Sequence, residues 1–66
     1  MMIGENIKRI RKEKGLTQIK LAELSGLTIS TVRNYEEGNT IHPKIETLTI
    51  IANTLETSVD SLVVQK

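Results

Sequence analysis

Thr17–Gly38 reads TQIKLAELSGLTISTVRNYEEG, two short helical segments with the same punctuation. Thr17 and Thr28 suit N-cap positions, because a threonine hydroxyl can accept from an early backbone N–H. Leu16 and Leu21 flank the first cap at the spacing of a hydrophobic staple, and Leu27 with Val32 repeats the device. Gly26 and Gly38 close the two segments. Only Ser25-Gly26-Leu27 separates them, and so short a turn fixes the angle between two helices. The spacing predicts a second helix running from the Thr17 cap to Gly26 and a third over about 29–37. At about 100° per residue, Leu21, Ala22, Leu24 and Ser25 share a broad inward arc. Ile19 falls outside that arc and reads as a surface aliphatic.

Upstream, Ile3, Ile7 and Ile10 recur at helical spacing over residues 3–14, and Gly15 ends this first helix. Downstream, residues 39–44 (NTIHPK) form a loop, since the residue before Pro43 avoids helical geometry. Residues 45–54 (IETLTIIANT) are β-branched enough to suit a strand. Ile45, Leu48, Ile51, Ala52 and Leu55 nevertheless fall on one arc, and a lone strand would have no partner, so a fourth helix is the reading. Ser58 caps a last short helix, about 59–64, with Val59 and Leu62 inward. The expectation is an all-α, compact five-helix fold in a single domain, residues 1–66.

Composition narrows the classes of function. A chain of 66 residues and 7.4 kDa is one domain with a small core. It has no cysteine and one histidine, which excludes a disulfide framework and a multi-histidine metal cluster, and no cofactor is expected. No apolar run approaches the ~20 residues of a membrane span, and no signal peptide opens the chain, so a cytoplasmic protein is expected. No Ser-His-Asp set, metal-ligand cluster or phosphate loop is present, so no enzyme activity is expected. Glu36 and Glu37 are no catalytic dyad, because the helix turns them about 100° apart. The net charge of +1 is modest, but residues 1–20 carry six basic against two acidic side chains. A local basic field suits phosphate contacts, although helix surfaces also carry charge for solubility alone.

The third helix has two chemically distinct sides. Val32, Tyr35 and Glu36 face inward, Ser30, Arg33, Asn34 and Glu37 outward, with Ile29 between them at the N-terminal end. Glu36 is anomalous there, since a carboxylate at a core edge needs a partner. Arg11, next to Ile10, is the candidate to pair with it. The outward residues have the chemistry of a base reader: Asn for adenine, Arg for guanine, Ser for several groups, Ile for the thymine methyl. A solvated helix face carries the same residue types, so the set matters more than any member. Gln18 opens the second helix, where free N–H groups favour a phosphate.

The pattern T-Q-x-x-L-A-x-x-S-G-L-T-x-S-T-V-x-x-Y-E-x-G resembles the helix-turn-helix of the phage-repressor family, also called Cro/CI-type or XRE-type. Arg9-Ile10-Arg11 with Lys14-Gly15-Leu16, Pro43 with Leu48, Ile51-Ala52 and Leu55, and Ser58-Val59-Asp60-Ser61-Leu62 extend the resemblance over nearly the whole chain. It implies a lambda-repressor-like DNA-binding domain. By position it implies base contacts from Ile29, Ser30, Arg33 and Asn34, and backbone contacts from Gln18, Thr28, Asn39, Thr40, His42 and Lys44. It also implies an Arg11–Glu36 pair. Ile29 stands where a polar reader is common, leaving only a methyl contact there.

Proteins of this architecture bind palindromic half-sites as dimers. Ile50, Val63 and Val64, off the inward faces of the last two helices, are the candidate dimer surface, with ordinary surface exposure as the plain alternative. The leading functional expectation is a sequence-specific transcriptional regulator, a repressor, with helix 29–37 in the major groove of double-stranded DNA. The alternatives are an antitoxin-like or accessory module that binds a protein and autoregulates through DNA, and an interaction domain that no longer binds DNA. No small-molecule effector domain is expected, so a signal would act through concentration, a partner or DNA.

Overall fold

A computed structural model describes residues 3–39 and 43–64 of the chain. It contains five helices among those residues: α1 (Ile3–Glu13), α2 (Gln18–Ser25), α3 (Ile29–Glu37), α4 (Ile45–Thr54) and α5 (Val59–Val63). The β-branched α4 segment is helical, as its apolar arc requires. No helix among the described residues is long and apolar enough to cross a membrane.

The caps form where the hydroxyls and glycines place them. Thr17 accepts from the Lys20 N–H, Thr28 from Thr31 and Ser58 from Ser61. Gly26 and Gly38 end α2 and α3 in the left-handed conformation, both with φ 76°. Glu56 adopts the same conformation in the α4–α5 turn, at φ 58°, where a side chain is strained.

Ile7, Leu21, Val32, Ile51, Leu55 and Leu62 are fully buried and draw all five helices onto one core. α1 packs on α3 and α5, α2 on α3 and α4, and α4 on α5. Leu16, Leu27 and Val59 pack against that core as half-buried residues. Two inward assignments are corrected. Leu24 is 56% exposed. The covered side of α2 is Gln18, Leu21, Ala22 and Ser25, an i, i+3, i+4, i+7 stripe, and Leu24 lies about 110° from its centre. Ile45 is 64% exposed, because it occupies the first position of α4, about 70° from the centre of the buried arc.

Two contacts set the position of α1. Gly4 lies against the end of α3, where an added Cβ would stand 2.6 Å from the Glu36 carbonyl oxygen and closer still to that of Tyr35. Asn6 is buried and donates through Nδ2 to the carbonyls of Leu62 and Val64, both at 2.8 Å. Its Oδ1 accepts from Arg9 Nη2 at 3.3 Å. One asparagine thus satisfies carbonyls that the end of α5 leaves without helical partners.

Candidate nucleic-acid interface

α3 is anchored on one side and free on the other. Val32 and Tyr35 are buried, and Tyr35 accepts a hydrogen bond at its hydroxyl from the Lys44 N–H at 3.1 Å. That bond ties the segment leading into α4 to the inner side of α3. Glu36, one residue on, has a side chain only 2% exposed and meets Arg11, 8% exposed. Arg11 Nε donates to Glu36 Oε2 at 2.6 Å, and Nη2 donates to Oε1 at 3.0 Å. Arg11 Nη1 donates to the Leu16 carbonyl at 2.7 Å. The guanidinium fork therefore clamps α3 and the entry to α2 onto α1, in the bidentate geometry that Arg favours.

Gln18 joins this network. Its Nε2 donates to Glu36 Oε1 at 3.1 Å. A glutamine amide carries two N–H donors, so one remains beside the free backbone N–H groups that open α2. The phosphate role expected of Gln18 is thus coupled to the ion pair. The sequence pointed to Arg11 and Glu36 through the misplaced carboxylate. It gave no sign of the Gln18 bond, which depends on how α2 meets α3.

Ser30, Arg33, Asn34 and Glu37 are exposed and form one stripe along the outer side of α3. Ile29 does not stand fully with them: it is half-buried and packs against the core. The exposed stripe is therefore polar, and Ile29 packs the start of the helix onto the core. Thr28 keeps its hydroxyl close, accepting from the Thr31 N–H at 3.2 Å and sharing a hydrogen bond with the Thr31 hydroxyl at 2.9 Å. The early N–H groups of Ile29 and Ser30 precede the capped one and can bind an anion. Asn39, exposed, donates to Glu37 Oε1 at 3.2 Å. Lys44 is exposed, whereas Thr40 and His42 lie outside the described residues.

The ion pairs show which cations are available. Arg9, Lys14 and Lys20 each sit beside a carboxylate, of Glu13, Glu56 and Glu23 respectively. Lys8, Lys12, Arg33 and Lys44 have no such partner among the described residues. Of the proposed dimer residues, Ile50 and Val64 are exposed, while Val63 is half-buried and packs against the core.

The chain matches the helix-turn-helix family over residues 7–62. It is 38% identical to the immunity repressor protein of Bacillus phage phi105 over 63 residues, covering 96% of this chain and 43% of that one. It is 37% identical to the HTH-type transcriptional regulator SinR of Bacillus subtilis, covering 98% of this chain and 59% of SinR. The chain thus spans about half the length of the curated relatives it matches. Among solved structures it resembles SinR, the master regulator for biofilm formation, in complex with DNA, with TM-score 0.90 and 36% identity. That match covers 96% of this chain and the whole of the other.

Proposed function

The chain belongs to the helix-turn-helix family, and from that premise we propose that it is a sequence-specific regulator of transcription that binds double-stranded DNA and represses. α3 enters the major groove with Ser30, Arg33 and Asn34 on base edges. Gln18, the N-termini of α2 and α3, and Lys44 meet the phosphates on either side. The observation that carries this reading is the exposed polar stripe on α3, set on a helix whose other side is fixed by Val32, Tyr35 and the Arg11–Glu36 pair. The relatives point the same way, being a phage repressor and a regulator solved on DNA.

One such helix spans few base pairs, so a palindromic operator bound by two copies goes with the reading. The chain measures 25 × 21 × 18 Å along its principal axes. With side chains at the contact, the longest dimension is of the scale of one duplex turn, ~34 Å. Exposed Ile50 and Val64 are the aliphatics proposed to meet across the two-fold axis. The setting is the bacterial cytoplasm.

Gel-shift titration over a series of salt concentrations tests the proposal. The expected result is an affinity that falls linearly on logarithmic axes as salt rises, with one duplex sequence bound above the rest. No measurable affinity for any duplex at low salt would overturn it.

A further inference from the structure

We infer that Glu37 is a fourth base-reading residue, accepting from the exocyclic amine of a cytosine at one edge of each half-site. This rests on the DNA-binding reading above. Ser30, Arg33, Asn34 and Glu37 recur at i, i+3, i+4 and i+7, the spacing of neighbours on one side of a helix. All four are exposed, opposite buried Val32 and Tyr35, so a groove that admits the first three faces the fourth as well. From Ser30 to Glu37 the helix rises about 10 Å, on the scale of three base-pair steps.

The side-chain lengths suit that placement. Ser30 is short and lies in the first turn of α3, whereas Glu37 is long and is the last residue of the helix, so its side chain can bridge a wider gap. A carboxylate at a helix C-terminus opposes the macrodipole, and no basic residue offsets it in the last turn of α3. It is also repelled by phosphates. The major groove offers two donors, cytosine N4 and adenine N6, and a carboxylate favours cytosine because the adenine amine stands beside the acceptor N7, which repels it. Asn39 Nδ2 donates to Glu37 Oε1 at 3.2 Å, which restricts the carboxylate and engages only one of its two acceptor oxygens.

The test is selection of sites from a random duplex pool by the native chain and by Glu37→Ala, followed by titration of both on the native site. Thermal melting checks that the variant is folded; no loss is expected from an exposed residue opposed to the helix dipole. The native chain should select cytosine at one position in each half-site. Glu37→Ala should accept any base there while keeping the other preferences, with discrimination at that position reduced on the order of tenfold or more. An unchanged preference, or an equal gain in affinity for every duplex, would overturn the inference, the latter because Glu37 would then act only by repelling phosphate. If the native chain binds no duplex at all, the DNA-binding reading fails first and the inference falls with it.

Discussion

Arg11 and Glu36 lie almost out of reach of water; among the described residues Arg11 is satisfied by Glu36 and the Leu16 carbonyl, and Glu36 by Arg11 and Gln18. A lone buried charge is far more costly than a buried pair. Glu36→Ala strands the guanidinium and is expected to lower unfolding free energy by about 3–5 kcal/mol, read by denaturant titration. For 66 residues the whole stability is roughly 3–10 kcal/mol, so the variant should lose roughly a third of it or more. An unchanged midpoint would show that the pair contributes nothing. The sequence disclosed this pair because a carboxylate on an apolar arc asks for a partner. It disclosed neither the Asn6 bonds to α5 nor the Gln18 bond to Glu36, since ordinary polar residues at helix positions show nothing unusual until the partner helix arrives.

Among the elements, α3 is the one whose placement matters most, and α1 supports it from behind. Gly4 permits that support by letting the two backbones meet without a side chain between them. Gly4→Ala places a methyl group against two backbone carbonyls, which cannot rotate aside. A destabilisation of about 3 kcal/mol is expected, measurable as a lower denaturation midpoint; a neutral result would mean that α1 and α3 are not in close contact. The helix boundaries and caps were legible because they follow from local chemistry: Thr17, Thr28 and Ser58 each bond the N–H three residues on. The inward faces were less so. Leu24 and Ile45 are apolar and sit near their arcs, but what covers a helix is decided by where its neighbours end. Ile29 shows the reverse, counted with the readers by position yet half-buried against the core.

At the scale of the whole molecule, twelve buried apolar side chains among the described residues hold the helices so that a polar stripe remains uncovered on α3. The charge distribution agrees with a duplex partner, with basic groups concentrated in residues 1–20 and Arg33 and Lys44 unpaired among the described residues. The order of the helices was legible, and so was the exposed side of α3 that carries the candidate site. The coupling of Gln18 to the ion pair and of Asn39 to Glu37 was not, because both are contacts between elements or across a turn. We propose that the outer side of α3 reads bases and does not merely approach DNA. Asn34→Ala tests this most directly, because the side chain is exposed and uncharged, so its removal changes neither the core nor the electrostatic attraction. The variant and the native chain would be titrated at one salt concentration on the duplex selected by the native chain and on a scrambled one. A loss of roughly five- to a hundredfold is expected on the selected duplex and none on the scrambled one; equal losses on both would mean that Asn34 reads no base.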